Sequence, residues 1–381
     1  MYCARAAIAL LTLSFAVVAA TATAQTESTS AVHLQSGEQI FKSACVACHG
    51  ADGKGAPNTQ IGFALPDTFP DFTRCDQTTA EADVNWKDII MHGGPTRGFS
   101  QIMPVLAQAL SSGQVDKVIA YLRTFCRDPH WPRGELNVPR ALITEKAYPE
   151  DEEVISTEAN VTGAPGLTTH AIHEQRFGAK NEIEVDVPLN AAVQNHTWYG
   201  GVGDVTLGVK RVFFSSLKSG SIFALQGSVI APTGSRVRDF GTGTTTFETF
   251  AAFDQLIRPN HRITGTNAFL QFQLGADLPV HPDISPQTLF WRAALGQSIA
   301  ANHGYGRLWS PMLEVVGEKE LETGGKTEWD LVPQMQVTIS KRQHIRADLG
   351  VQLPADRRQD EIKIVFYLLW DRADGKINEG W

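Results

Sequence analysis

Two periods of hydrophobic and polar residues divide the chain near residue 153. Before about residue 125 the apolar positions recur at helical spacing, most clearly at Val115, Val118, Ile119 and Leu122, one stripe that predicts an amphipathic helix. Ser111 with Gln114 makes a capping box at its start, and Gly37 to Phe41 predicts a short earlier helix. Beyond residue 153 strict alternation takes over: Ile345, Ala347, Leu349, Val351 and Leu353 interleave with Arg346, Asp348, Gly350 and Gln352. That is a strand with one apolar face. The pattern recurs at 205–213, 223–231, 268–278, 329–339 and 362–370, and more weakly near 153–160, 168–177, 181–189, 244–256, 287–301 and 308–319. About twelve strands are predicted, many of them long enough to cross a bilayer at a tilt.

Two further stretches belong to neither pattern. Pro129, Pro132, Pro139 and Pro149 break any helix between the halves, and Glu150 to Glu153 add a charge run, so this segment reads as a linker. Its Trp131, Leu136, Val138 and Tyr148 predict that it packs against a neighbour. At the N-terminus Arg5 precedes an apolar run from Ala6 to Ala20, and Ala22-Thr23-Ala24 offers a small-x-small cleavage site. This is the layout of a secretory signal peptide, too short and alanine-rich for a spanning helix. The expected organisation is a signal peptide at 1–24, a helical domain at 25–127, a proline-rich acidic linker at 128–152 and a β-domain at 153–381.

Composition adds limits. At 381 residues and 43% hydrophobic content the chain is long enough for two domains, and a net charge of -8 argues against a nucleic-acid partner. No nucleophile elbow, phosphate loop or metal-spaced histidine pair stands out; His170 and His173, three apart on a strand, point to opposite faces.

The chemistry sits at Cys45-Val46-Ala47-Cys48-His49. On a helix the two cysteines share a face, so both thiols can add to the vinyl groups of one porphyrin edge while His49 projects toward the iron. The reading is one covalent haem c. A redox dithiol is a rival, and so is half of a zinc site, although no second Cys or His pair follows closely.

Gly37-Glu38-Gln39-Ile40-Phe41 before the motif, the loop Gly50 to Gly55 after it, and Met103-Pro104 followed by Leu110-Ser111-Ser112 and an apolar helix resemble a class I cytochrome c. The resemblance implies an all-α domain whose last helix crosses its first, Met103 as sixth ligand, and assembly outside the cytoplasmic membrane. Met91 and His92 are the other candidates on the distal side. Arg97, in the turn-rich loop Gly93 to Phe99, either faces a haem propionate or is solvated. With the signal peptide removed and two cysteines given to haem, Cys75 and Cys126 remain as a disulfide or as two buried thiols.

The β-half fits either an antiparallel transmembrane barrel or a soluble β-sandwich, because alternation does not say which face meets water. The even strand count, short turns such as Lys218-Ser219-Gly220, and aromatics near strand ends favour the barrel. Trp198, Tyr199, Phe213, Phe214, Trp291, Trp309, Trp329 and Trp370 are candidates for interfacial girdles. Trp381 ends the chain, but the stretch before it does not alternate. In layout the chain resembles bacterial fused cytochrome-porins. That implies electron transfer at the outer membrane with a redox partner protein or an extracellular donor or acceptor, an electron carrier rather than an enzyme, and a haem domain facing the periplasm or the barrel lumen. Two alternatives stand beside it: a passive pore with a redox-sensing head, and a soluble periplasmic carrier with a β-rich docking domain.

Overall fold

A computed structural model describes residues 36–57, 62, 64–257, 267–300, 306–356 and 362–381. The proposed signal peptide lies outside the described residues. No described helix is long and apolar enough to cross a membrane.

The N-terminal head is helical: α1 (Gly37–Ala44), α2 (Val46–His49), α3 (Cys75–Thr78), α4 (Asp83–His92) and α5 (Ser112–Leu122). Capping boxes start α1, through Ser36 and Gln39, and α5, through Ser111 and Gln114, so each helix begins with its free N–H groups bonded. Val115, Val118, Ile119 and Leu122 are all buried, together with Ile40 and Phe41 of α1. The two helices meet closely at Gly37, where a Cβ would run into the carbonyl of Lys117. Phe41 packs 5.5 Å from the ring of Tyr121 and 5.6 Å from that of Phe125. Cys75 and Cys126 are disulfide-bonded, with Cα atoms 5.1 Å apart, tying α3 to the chain just beyond α5.

The C-terminal half is a closed antiparallel barrel. Its strands are β1 (Glu152–Asn160), β2 (Gly166–Phe177), β3 (Asn181–Gln194), β4 (Thr197–Val202), β5 (Val205–Ser216), β6 (Ser221–Ala231), β7 (Thr246–Ile257), β8 (Asn267–Pro279), β9 (Thr288–Ala300), β10 (Leu308–Glu320), β11 (Thr327–Thr338), β12 (Ile345–Pro354) and β13 (Lys363–Asp371). Each pairs with its sequence neighbour, except that β4 and β5 lie end to end along β3 and make one stave. The result is twelve staves, closed where Glu152 at the start of β1 meets Asp371 at the end of β13. Both ends of the barrel sequence therefore lie at the rim beside the head.

The faces decide between barrel and sandwich. Leu207, Leu295 and Leu349 point outward and are 55%, 55% and 56% exposed, while Glu174, Glu182, Gln271, Gln273 and Glu314 point inward and are fully buried. An apolar outside around a polar interior is the arrangement for lipid, and the reverse of a water-soluble core. Trp198 and Trp329 stand exposed near the far rim, and Phe213, Phe214 and Trp309 near the rim beside the head. Trp291, Tyr199 and Trp370 are instead half-buried: Trp291 meets Trp329 edge-on, Tyr199 lies under Arg238, and Trp370 donates to the carbonyl of Gly375. Trp381 belongs to no strand and donates back to Ile377.

The segment read as a linker runs inside the barrel. Leu136, Val138, Ala141, Ala147 and Tyr148 are buried against Ile222, Ala224, Phe250, Ala252, Phe269 and Phe290, an apolar patch on the inner wall. An irregular strap in a lumen needs partners for its backbone. The N–H groups of Leu142, Ile143 and Thr144 donate to the Glu314 carboxylate at 2.9, 3.1 and 2.7 Å, that of Ala147 to Asp254 at 2.8 Å, and that of Glu150 to Glu182 at 2.5 Å. Gln336 and Tyr367 bond the carbonyl of Arg140. Charges of the strap are paired too, Arg140 with Glu174 and Lys146 with Glu150, although one Glu145 carboxylate oxygen is buried without a partner.

Candidate haem site

Cys45 is the residue between α1 and α2, so the fold puts both thiols and His49 within one helical turn of each other. Neither cysteine is disulfide-bonded. Burial, with Cys48 close by, pushes the Cys45 thiol up to about 11. Burial also lowers His49 to about 4, which keeps the imidazole neutral with a lone pair to give. His49 packs against Phe69 at 4.8 Å and Phe72 at 5.1 Å, and its Nδ1 is buried with no protein partner. The loop after the motif folds back on it, with Gly55 N–H donating to the His49 carbonyl at 2.9 Å and Ala56 N–H to that of Cys48 at 2.8 Å.

Met103 is held by two hydrogen bonds: its carbonyl accepts from Gly94 N–H at 3.1 Å, and its N–H donates to the Ser100 carbonyl at 3.3 Å. Its neighbours Ile102 and Val105 are 40% and 59% exposed. Two unbonded thiols, a neutral imidazole without a protein partner at Nδ1, and bare apolar side chains beside a methionine are a donor set and a surface that fit a haem.

The distal alternatives are differently engaged. His92 Nδ1 lies 2.9 Å from Asp88 Oδ1, and Met91 is half-buried with its carbonyl accepting from Ala107 N–H at 3.2 Å. Asp88 is fully buried and also receives Arg97 Nε at 2.6 Å. Arg97 is therefore not a solvated loop residue; it is buried, and its Nη1 has no partner. Asp88 was missed in the sequence because an aspartate on a helix reads as a solvated residue; His92, four residues on, was the local signal for it, whereas nothing local marks the Arg97 side chain that closes on it.

Residues 34–125 match a family model described as cytochrome c. The helical head is a cytochrome c domain. That family implies covalently attached haem c. No match was found among curated proteins. Among solved structures the chain is similar to LpxR from Salmonella typhimurium, at 9% identity over 57% of this chain and 99% of that one, with a TM-score of 0.39. It is also similar to the NanC porin, at 8% identity over 57% of this chain and 98% of that one, TM-score 0.39. An outer membrane channel from Pseudomonas putida F1 is 11% identical over 61% of this chain and 99% of that one, TM-score 0.39.

Two groups of three buried carboxylates line the lumen, Glu150 with Glu152 and Asp371, and Glu174 with Glu182 and Glu184. Each faces buried cations: Lys146 and Arg346 in the first, Arg140 and Lys210 in the second. They read as the ion-pair network that holds the strap.

Proposed function

We propose that this chain is a mono-haem c-type cytochrome seated in the bacterial outer membrane by its own barrel, exchanging electrons with a partner protein or an extracellular donor or acceptor. The observation that carries this reading is a barrel with an apolar outer face continuous with a head that bears Cys45, Cys48 and His49. Bound haem supplies a one-electron iron couple. The thiols of Cys45 and Cys48 would fix the group covalently, and His49 and Met103 would hold its iron through a neutral imidazole nitrogen and a thioether. The free Nη1 of Arg97 supports its assignment to a propionate, with Asp88 orienting the guanidinium.

The strap supports a haem at the barrel mouth rather than within the lumen, and it weighs against a passive pore, since residues 136–150 occupy the interior. A head beside the rim where both barrel ends lie fits export through a cleaved signal peptide and a periplasmic head. One haem at a mouth does not cross a hydrocarbon core of about 30 Å, so transfer to the far side calls for a partner reaching in.

Cell fractionation tests the placement. Haem staining and heat-modifiable migration should appear together in the outer-membrane fraction; recovery in the soluble periplasm would remove the membrane reading. Liposomes carrying the protein, with an impermeant reductant outside and a trapped acceptor, test the conduit. Transfer no faster than in empty liposomes leaves the partner-dependent carrier.

A further inference from the structure

We infer that the barrel positions the sixth-ligand loop: Arg342, in the turn between β11 and β12, and the C-terminal tail around it hold the 94–103 loop so that Met103 stays on the haem. The inference rests on the reading of Met103 as ligand.

The contact is direct. Arg342 Nη2 donates to the carbonyl of Gly98 at 2.9 Å, and its guanidinium lies 4.3 Å from the ring centroid of Phe99. The tail fixes the arginine in turn, because Glu379 Oε2 accepts from Arg342 Nη1 at 3.0 Å and the Gly380 carbonyl accepts from Arg342 N–H at 3.2 Å. The guanidinium thus spends its planar donors on two carbonyls, those of Gly98 and Asp374, and one carboxylate, and lays its face on Phe99, which a lysine would not reproduce. Gly98 has φ 67, and a Cβ there would meet Gly380 Cα at 2.5 Å, so tail and loop touch backbone to backbone.

From Gly98 the link to Met103 is short. Phe99 N–H donates to the Gly94 carbonyl at 2.9 Å, Gly94 N–H to the Met103 carbonyl, and Met103 N–H to Ser100. The loop is closed on itself at Gly94 and capped by the barrel at Gly98 and Phe99. Surface loops are the least stable parts of a fold, and a thioether is a weak neutral ligand that water or a lysine displaces when its loop opens. Second-sphere contacts of this kind orient metal ligands. Losing the cap raises the population in which sulfur is off the iron, and that population favours the ferric state.

The test compares full-length protein with Arg342→Ala, Arg342→Lys and Phe99→Ala in detergent, by the weak near-infrared thioether-to-iron band of the ferric form, its loss with rising pH, and the midpoint potential. Both alanine variants should lose band intensity, lose the rest at lower pH, and raise the ferric-to-ferrous ratio at fixed potential about tenfold, about 59 mV for one electron. Arg342→Lys should recover only part. Heat-modifiable migration should be unchanged, which separates the effect from barrel misfolding. If Arg342→Ala does not fold, Phe99→Ala decides, since it leaves the barrel turn intact. Unchanged band, pH of loss and potential in the folded variants overturn the inference. Met103→Ala stands apart from these: if it keeps the band, the ligand assignment fails and the cap contacts carry no redox role.

Discussion

The head and the barrel bury opposite chemistry. In the head Ile40, Phe41, Val115 and Ile119 are sealed from solvent, while in the barrel Glu174, Glu182 and Glu314 are sealed and leucines stand outside. The same hydrophobic drive produces both, because it removes apolar surface from water wherever that surface can go. In the head it goes to another helix. In the barrel much of it stays on the outer face, which we propose lies in lipid, so much of the interior is left to polar groups, each of which then needs a partner inside. The strap supplies many of those partners, and the head grows directly from it. The chain is thus one apolar core and one lumen in which buried carboxylates and amides surround an apolar patch under the strap, joined by residues 127–151.

The largest effect that would break this comparison concerns the head. Cys45→Ser with Cys48→Ser should abolish haem staining after denaturing electrophoresis, while heat-modifiable migration of the barrel persists. Stain surviving that change would mean the head is organised around something else. Next, reducing the Cys75–Cys126 bond, or replacing both with serine, should cost about 3 to 5 kcal/mol for the loop it closes, appearing first in chemical melting of the haem absorbance. Coincident loss of barrel signal would show that the two cores do not melt separately.

The barrel side is sharpened by Leu349→Arg, which puts a charge on the lipid face. A cost of about 2 to 4 kcal/mol in refolding from urea into vesicles is expected near the midplane, and a neutral result would put that face in water. Confined to the strap is the effect of Glu314→Ala, which takes the acceptor from the Ile143 and Thr144 N–H groups, while Leu142 N–H keeps Gln334 Oε1 at 3.0 Å, at about 1 to 3 kcal/mol per orphaned group before relaxation. The expected outcome is faster proteolysis within the strap and transient conductance in planar bilayers. A strap as protected as in the parent protein would assign its anchoring to Asp254 and Glu182 instead.

Much of this was legible in order along the chain. The α5 stripe and its capping box, the alternating runs and the paired cysteines are local patterns, and local geometry makes each of them. Alternation even gave the number of staves, twelve, although Gly203 and Asp204 interrupt one of them to make β4 and β5. The proline-rich segment was readable as packed from Trp131, Leu136, Val138 and Tyr148, but not as lying within the barrel.

The sequence by itself determined the element types, the two-part layout and the haem attachment motif, because helical and strand periods and the C-x-x-C-H spacing are set within a few residues. Tertiary structure alone decided which strand face turns outward, since a period of two looks the same from either side until the ring closes at Glu152 and Asp371. It alone put the strap in the lumen, where Thr144 finds Glu314 at a separation of 170 residues, and it alone brought Arg342 to Gly98 across 244. Contacts at such separations depend on where the closed barrel carries each residue, and no short-range pattern records that.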